Sequence, residues 1–352
     1  FSTMILDRIQ YRLLQQSQQQ RTRERLRLKR PQAAMTQIGQ TRIYNFSSND
    51  YLGFANHPRL IQALSEGAKR WGVGAGAAHL VSGHTDVHHE LEQRLAALTQ
   101  RPRALLFNSG YMANLAVLSS LIEKSDTVIH DRLNHASLID GTRLTGCKLL
   151  RYQHANMHHL QQRLQRKSGS TLIVSDGVFS MDGDIAPLSH LAQISQMHQA
   201  CLMVDDAHGI GVLGPRGAGS VLHNGLTHCE VPILMGTLGK ALGTSGAFVA
   251  GSEDLIEYLI QFARPYIYTT ASSPALAYAS IAALDLLEKE AWRRQHLHDL
   301  IHYFQKQAQE YGLEILPSHT PIQPLILKNN ALTLQLAHAL RQHGFLVGAI
   351  RP

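Results

Sequence analysis

Short, continuously apolar segments alternate with helical segments through the middle of this 352-residue chain. Strands that are apolar on both faces are typical of a parallel sheet covered on both sides by helices. The sequence therefore predicts an α/β fold with a mostly parallel sheet. The predicted strands cover residues 104–107, 127–129, 171–174, 201–204, 233–235 and 247–250.

Weaker patterns flank this predicted sheet. The first ~30 residues are typical of a polar helix with a thin apolar stripe. A charged helix at residues 287–307 begins a second unit, which continues through a helix at 332–343 and a strand at 345–347. We therefore predict an N-terminal helical arm at 1–48, a large domain at 49–285 and a smaller C-terminal α+β domain at 286–352.

A cluster of polar residues follows each of five predicted strands. Because the carboxyl ends of parallel strands share one edge of a sheet, where ligands bind, we expect these clusters to meet in one crevice. The clusters are NSGY at 108–111, DRLNH at 131–135, SDGVFS at 175–180, DDAH at 205–208 and TLGK at 237–240.

Lys240 has the most unusual setting among these residues. It lies among glycines and small apolar residues, with no charged residue within three positions. Desolvation disfavours the ammonium form of a lysine, and a neutral amine is what forms a Schiff base with an aldehyde. An isolated Gly-Lys pair is usually a flexible loop, but the acidic and histidine motifs upstream favour a catalytic lysine.

The other clusters contain groups that could bind an aldehyde cofactor attached to a lysine. A helix that opens at Gly110 and Tyr111 offers free amides to a phosphate, although a simple helix cap is the alternative. Asp205 beside a pyridine nitrogen would keep that nitrogen protonated. His208 could reach the phenolic oxygen of such a ring, and His135 could stack on its face. Each histidine alone also fits an ordinary core or surface position.

Composition excludes several other classes of function. No apolar run approaches the ~18 residues of a membrane span. The three cysteines, Cys147, Cys201 and Cys229, are far apart and match no zinc spacing, and their odd number argues against a disulfide framework. Neighbouring histidines, as at 88–89 and 158–159, point in different directions. We therefore expect a cytoplasmic protein without a metal site.

The basic run at residues 21–30 leaves a binding function open. It could contact nucleic acid, and a cofactor-free binding protein is the alternative from another class. The run has no interleaved aromatic residues. We therefore expect no nucleic-acid partner, and favour a contact with a phosphate-rich small molecule such as coenzyme A.

Six motifs together resemble those of the α-oxoamine synthases, which are fold type I enzymes dependent on pyridoxal 5'-phosphate (PLP). The resemblance runs from about residue 20 to Pro352, and two of the motifs are highly specific, FSMDGD at 179–184 and DDAHG at 205–209. It implies a large domain with a seven-stranded sheet between helices. The other matching motifs are NDYLG at 49–53, LVSGH at 80–84, NHAS at 134–137 and TLGK at 237–240.

The resemblance implies a role for each matching residue. Lys240 carries the cofactor as a Schiff base and later removes the α-proton of the amino-acid substrate. His135 stacks on the ring and helps to position substrate, while Asp205 pairs with the pyridine nitrogen and His208 with the phenolic oxygen. The remaining cofactor contacts are the amides of Gly110 and Tyr111, the hydroxyl of Thr237, and Ser180, Thr269 and Thr270.

The resemblance also implies substrate contacts and a homodimer. Thr269 and Thr270 match a segment that reaches the phosphate of the partner subunit, so the active site is expected at the subunit interface. Asn49 and Arg351 would grip the carboxylate of the amino acid. Arg23 matches an N-terminal arginine that meets the acyl substrate.

Four segments favour one reaction within the family, the decarboxylative condensation of L-alanine with a pimeloyl thioester of coenzyme A or of a carrier protein, in biotin biosynthesis. The sister reactions of glycine with acetyl-CoA or succinyl-CoA use the same cofactor and stay open as alternatives. The family pattern continues past Pro352, so we expect the small domain to be incomplete in this sequence. The four segments are FSSNDYLG at 46–53, DRLNHASL at 131–138, IQPLI at 322–326 and AIRP at 349–352.

Overall fold

A computed structural model describes residues 4–19 and 21–350, and the chain divides into two compact units. The larger unit is Asp50–Pro324, and the smaller one combines Phe1–Asn49 with Leu325–Pro352. Residues 286–324 thus group with the larger unit, in which the hydroxyls of Ser318 and Thr320 donate to the carbonyl of Gly183 at 2.7 and 2.8 Å. The three domains defined from the sequence stay a prediction.

Helices and strands alternate through the middle of the described chain. The helices are α1 (Met4–Gln18), α2 (Pro58–Trp71), α3 (Asp86–Leu98), α4 (Gly110–Leu121), α5 (Ala136–Thr145), α6 (Met157–Leu164), α7 (Leu188–Met197), α8 (Ser220–His223), α9 (Glu253–Phe262), α10 (Arg264–Ile267), α11 (Pro274–Lys289), α12 (Trp292–Glu310) and α13 (Asn330–Gln342). The strands are β1 (Met35–Ile38), β2 (Thr41–Asn45), β3 (Arg103–Phe107), β4 (Thr127–Asp131), β5 (Lys148–Tyr152), β6 (Thr171–Asp176), β7 (Cys201–Asp205), β8 (Ile233–Thr237), β9 (Ala247–Gly251) and β10 (Phe345–Leu346).

The larger unit contains a seven-stranded sheet with the order β3-β9-β8-β7-β6-β4-β5. Strand β9 runs antiparallel to its neighbours β3 and β8, and the other neighbouring pairs are parallel. The predicted mostly parallel sheet is therefore confirmed. The sequence did not indicate β5, because this edge strand is only partly buried and carries charged residues at both Lys148 and Arg151.

Helices cover both faces of this sheet. Leu105 and Phe107 of β3 pack in one apolar cluster with Val117 of α4. Leu106, between them, packs in another cluster with Leu91 of α3. Successive side chains of a strand point to opposite faces, so the two clusters lie on opposite sides. Each buried side chain of this size contributes about 1.5–3 kcal/mol, which holds the strand ends in place.

The smaller unit contains a three-stranded sheet, in which β2 pairs with β1 antiparallel and with β10 parallel. Helix α1 ends at Gln18, so the prediction of a helix over the first ~30 residues is wrong beyond that point. The basic run at 21–30 lies outside helices. Like charges four residues apart, as at Arg21, Arg25 and Lys29, destabilise a helix.

The predicted helix at 287–307 is divided in the structure. Helix α11 ends at Lys289, and α12 begins at Trp292 after a non-helical Glu290. Arg293 stabilises this junction, since it donates to Glu290 at 2.5 Å and to the carbonyl of Leu52 at 3.1 Å. Within the described part of the chain, no helix is long and apolar enough to cross a membrane.

Candidate active site

The carboxyl ends of five strands meet at one edge of the larger unit's sheet. Asp176 at the end of β6 lies beside Asp205 at the end of β7, and Asp205 lies beside Met235 of β8. Strands β3 and β4 end at the same edge, at Phe107 and Asp131. The structure thus brings the predicted polar clusters to one place, because each follows one of these strands.

Lys240, His208 and Tyr51 form a chain of hydrogen bonds at this edge. The Nζ of Lys240 lies 2.9 Å from the Nε2 of His208. The hydroxyl of Tyr51 lies 2.7 Å from the Nδ1 of the same ring. Both nitrogens of His208 therefore have a partner, and the histidine connects the lysine to the tyrosine.

Burial changes the protonation of this chain. Desolvation lowers the pKa of Lys240, while the charges of Asp205 and Asp176 raise it in part. Desolvation and the nearby Lys240 lower the pKa of His208 to about 3. His208 is consequently neutral over the physiological range, with one donor and one acceptor nitrogen.

A second chain of hydrogen bonds joins Asp205 to His135. The Nδ2 of Asn114 donates to Oδ2 of Asp205 at 2.7 Å and to Oγ of Ser137 at 2.8 Å. Ser137 Oγ in turn lies 2.7 Å from Nδ1 of His135. The amide of Ala207 donates to the other carboxylate oxygen of Asp205 at 3.1 Å. Asp205 is thereby fixed at the strand end and is 5% exposed.

His135 caps α5 and presents an exposed ring. Its backbone amide donates to Oδ1 of Asp176 at 3.3 Å, which ties the residue to the end of β6. The ring of Tyr111 lies edge-on to it, with ring centroids 6.5 Å apart, and the Tyr111 hydroxyl donates to Asp140. Asp176 itself is buried, and desolvation followed by the charge of Asp205 raises its pKa well above the ordinary value.

The glycines around Asp206 are required by close packing. A Cβ at Gly209 or Gly219 would overlap with the Asp206 carboxylate, and one at Gly177 would overlap with Ser220 Oγ. Asp206 Oδ2 accepts the amide of Ser220 at 2.6 Å. Gly209, the last residue of DDAHG, therefore keeps the loop that carries His208 close to the sheet.

The predicted phosphate contacts lie at the start of α4 and the end of β8. Ser109 caps α4 and accepts the amide of Met112, and the helix begins at Gly110. The first amides of a helix have no partner within it. Thr237 donates to the carbonyl of Gly246 at 2.9 Å and accepts the amide of Gly239 at 3.2 Å, so its hydroxyl is engaged in the turn before Lys240.

The remaining predicted cofactor contacts lie in loops of the same unit. Thr269 is half-buried and Thr270 is exposed. The carbonyl of Thr270 accepts from the side chain of Asn108 at 3.0 Å, and Thr270 forms an isolated bridge with Ala78. Ser180 is half-buried in the turn after β6.

Three further residues are predicted to contact substrate. Asn49 and Arg23 belong to the smaller unit, and both are exposed. Arg351 lies outside the described residues. Their predicted roles stay predictions.

The sequence did not indicate Asn114, whose side chain joins Asp205 to Ser137 and thereby to His135. The available signal was the only amide side chain of the largely apolar helix α4, one turn after Gly110. Tyr51, Ser137 and Asp176 lie in motifs that the sequence analysis singled out, but their contacts were not anticipated. Hydrogen bonds between residues far apart in sequence become visible only once the strands are aligned.

A group of three histidines belongs to neither of the two chains of hydrogen bonds. Ring nitrogens of His79, His84 and His88 come within 4.8 Å of one another. The Nδ1 atoms of His79 and His84 hydrogen-bond each other at 2.8 Å. The two nitrogens of His88 bond to Thr85 and to the carbonyl of Ser272. These nitrogens already have partners, so the group is a hydrogen-bonded cluster that holds the segment next to Thr270.

Comparisons with known proteins agree with this architecture. Residues 41–352 match the family described as aminotransferase class I and II. The 8-amino-7-oxononanoate synthase of Pseudomonas putida (strain GB-1) is 56% identical over 94% of this chain and 85% of its own length. That of Stutzerimonas stutzeri (strain A1501) is 55% identical over 94% and 84%. The chain belongs to the 8-amino-7-oxononanoate synthase family.

Solved structures give the same fold. The 8-amino-7-oxononanoate synthase of Francisella tularensis is 36% identical with a TM-score of 0.78, over 87% of this chain and 88% of that one. A serine palmitoyltransferase of S. paucimobilis with a bound PLP–myriocin aldimine is 26% identical with a TM-score of 0.93, over 98% and 92%. The predicted fold type I architecture is confirmed.

The residues at this edge fit PLP by their chemistry. A lysine with a lowered pKa can bind an aldehyde, and the α4 N-terminus offers amides to a phosphate. Asp205 is a buried carboxylate without an ion pair at 4 Å or less in the part of the chain that is described. Such a carboxylate suits the protonated nitrogen of a pyridine ring.

Proposed function

We propose that this chain condenses L-alanine with a pimeloyl thioester, of coenzyme A or of a carrier protein, to give 8-amino-7-oxononanoate in biotin biosynthesis. A carbon–carbon bond forms between the alanine Cα and the thioester carbonyl, the thiol leaves, and the alanine carboxylate leaves as CO2. The proposal rests on two hydrogen-bonded pairs that lie at the same edge of the sheet, Lys240 with His208 and Asp205 with Asn114. It rests also on the similarity of the chain to proteins named 8-amino-7-oxononanoate synthase.

PLP, when bound, supplies an aldehyde carbon for amines and a protonated ring that takes up the electron pair of the broken Cα–H bond. Lys240 would hold it through Nζ and would afterwards take the α-proton of alanine at the same atom. Asp205 would accept a hydrogen bond from the protonated ring nitrogen, and His208 Nε2 would donate to the phenolic oxygen. Burial of these groups strengthens each contact, because few water molecules compete.

The substrate contacts complete the proposal. His135 packs against the cofactor ring and steers alanine, and Asn49 and Arg351 bind the alanine carboxylate so that the Cα–H bond points at Lys240. Arg23 meets the acyl substrate. A guanidinium suits both tasks, since it offers paired donors to a carboxylate or a phosphate.

The phosphate contacts come from two chains. The amides of Gly110 and Tyr111, the Thr237 hydroxyl and Ser180 contact the cofactor in one protomer. Thr269 and Thr270 reach it from the partner in a homodimer. The exposure of Thr270 supports a contact outside its own chain.

A panel of substrate pairs tests the reaction. Purified chain with PLP should release thiol and CO2 fastest with alanine and pimeloyl-CoA. Glycine with acetyl-CoA or succinyl-CoA, and serine with palmitoyl-CoA, serve as rivals, and faster turnover of any of these would overturn the proposal. Lys240→Ala should remove the yellow colour of the lysine-bound cofactor and all turnover, while Lys328→Ala should preserve both.

Mixing two inactive variants tests the shared site. Lys240→Ala and the double variant Thr269→Ala/Thr270→Ala are defective in different halves of a shared site. After exchange of subunits, about a quarter of the sites should contain neither defect if each site takes residues from both chains. No recovery of activity, with subunit exchange shown by mass spectrometry, would contradict the shared site.

A further inference from the structure

We propose that Asn114 and Ser137 are positioning residues that fix the tautomer of His135, with Nδ1 unprotonated and the ring proton on Nε2. The inference deepens the proposed function, because it states which atom of His135 can donate to the cofactor or to alanine. Only this consequence, the donation from His135 to the cofactor or to alanine, rests on the proposed function. The tautomer itself follows from the contacts of the chain.

The first step is the orientation of the Asn114 side chain. Oδ2 of Asp205 is an acceptor at 2.7 Å from the Asn114 amide, so the NH2 group must face it. The reversed amide would place an oxygen against the carboxylate. Oδ1 of Asn114 is buried and lacks a hydrogen-bond partner in the described residues. That cost indicates that the contact with Asp205 decides the orientation.

The second step assigns the proton of Ser137. The NH2 group of Asn114 has two hydrogens, and the second one points to Ser137 Oγ at 2.8 Å. Ser137 Oγ accepts that bond and retains one hydrogen of its own. Its other neighbour is Nδ1 of His135 at 2.7 Å. The serine therefore donates to Nδ1.

The third step is the cap of α5. The backbone amide of Ser137 also points at Nδ1 of His135, at 3.3 Å. Two hydrogens thus approach this nitrogen, and a proton on Nδ1 would meet both. A neutral imidazole has one protonated nitrogen, which is then Nε2. His135 presents a donor on the side of its exposed ring away from Asn114.

The network also links two groups that would touch the cofactor. Asn114 holds Asp205 with one hydrogen and, through Ser137, orients His135 with the other. A helix cap alone would need only the Ser137 amide. The side chains of Ser137 and Asn114 are both 0% exposed, and each is hydrogen-bonded within this chain from Asp205 to His135.

Long-range 1H–15N NMR of the full chain measures this tautomer directly. Protonated and unprotonated ring nitrogens differ strongly in 15N shift, and the signals absent in His135→Gln identify His135. We expect the unprotonated type of shift for Nδ1 and the protonated type for Nε2, with and without PLP. A protonated Nδ1 would overturn the inference, whichever substrates the enzyme uses.

Three variants separate positioning from simple packing. Ser137→Ala breaks the link but retains the Asn114–Asp205 bond, so we expect kcat to fall roughly tenfold, the equivalent of one hydrogen bond, with PLP affinity unchanged within about twofold. Asn114→Leu should also weaken PLP binding roughly tenfold. Ser195→Ala removes another buried hydroxyl, which bonds only to Ala192 among the described contacts, and should change neither kcat nor PLP affinity.

The outcomes of these variants are distinct. In Ser137→Ala only the backbone amide at 3.3 Å still reaches Nδ1, and an increased share of the other tautomer of His135 supports the inference. Equal weakening of PLP binding in Ser137→Ala and Asn114→Leu would mean that the network only packs the site, and would overturn it. If Ser137→Ala does not fold, the wild-type spectrum still decides.

Discussion

The Nζ of Lys240 lies 2.9 Å from Nε2 of His208, although the two residues are 32 positions apart. A neutral His208 can accept from an ammonium or donate to an amine, but it cannot do both at Nε2. The Tyr51 hydroxyl at 2.7 Å from Nδ1 can also donate or accept. Tyr51 therefore allows His208 to change tautomer when Lys240 changes its protonation.

Removing the hydroxyl of Tyr51 tests this relationship. Desolvation raises the pKa of Tyr51, so the hydroxyl stays protonated. Tyr51→Phe removes a partner of Nδ1, and we expect kcat to fall roughly tenfold with KM changed less than about threefold. Tyr258→Phe is the matched control, since its hydroxyl donates to the carbonyl of Ser120, and it should leave kcat unchanged. An equal loss in both variants would refute the role of Tyr51.

The glycine that ends DDAHG is expected to be intolerant of a side chain. A Cβ at Gly209 would overlap with the carboxylate of Asp206, which is itself held by the amide of Ser220. Gly209→Ala should lower the free energy of unfolding by about 1–3 kcal/mol. Urea denaturation measures this change. Gly74→Ala, where a Cβ meets no atom within 4 Å, should change stability by less than about 0.5 kcal/mol.

The sheet was predictable because its signal is local. Six apolar strands and the polar residues after them follow from the sequence, since a strand buried on both faces requires an apolar run. Strand β5 was not predicted, because an edge strand that is only partly buried does not need to be apolar on both faces. The prediction extended helix α1 too far. Repulsion between neighbouring arginines ends the helix, and the polar pattern of the sequence does not show at which residue this occurs.

The candidate site was only partly predictable. Lys240, Asp205, His208 and His135 were indicated by motifs at strand ends, and all four lie at one edge. Asn114 was not indicated, because its two partners are 23 and 91 positions away. No periodicity encodes such a contact. It exists because α4 packs against α5, which carries Ser137, and against β8, the neighbour of the strand that carries Asp205.

His154 should make stability depend on pH. Its Nδ1 and Nε2 lie 2.9 Å from Asp131 and Asp184, and these hydrogen bonds raise its pKa from 6.5 to about 10. Because the folded pKa is raised, the contribution is complete below pH 6.5 and is lost as the pH rises toward 10. His154→Gln should therefore cost on the order of 2 kcal/mol at pH 6 and much less at pH 10.

Urea denaturation between pH 6 and 10 checks this difference. His158→Gln is the control, because His158 is exposed and bonds only to Gln162 among the described contacts. A constant difference between wild type and His154→Gln across this range would contradict a charged His154.

The same substitution at two neighbouring carboxylates should have opposite effects. Asp176 and Asp205 are paired across β6 and β7. Desolvation, then the charge of Asp205, raises the pKa of Asp176, so its charged form is less favourable in the folded chain than in the unfolded chain. The unfolded chain releases the proton of this carboxyl above about pH 4, and wild-type stability consequently falls as the pH rises. Asp176→Asn removes the buried negative charge and should raise the free energy of unfolding at pH 8 more than at pH 5.

Asp205→Asn should lower stability and cofactor affinity instead. Both oxygens of Asp205 accept hydrogen bonds, from Asn114 and Ala207, and an amide can accept only one of them. The unmatched donor costs about 1–3 kcal/mol, and PLP affinity should fall because the ring nitrogen loses its carboxylate. Urea denaturation at pH 5 and pH 8, with PLP titrations of each variant, measures both effects. Loss of PLP binding in Asp176→Asn, with binding retained in Asp205→Asn, would reverse the assignment of the two carboxylates.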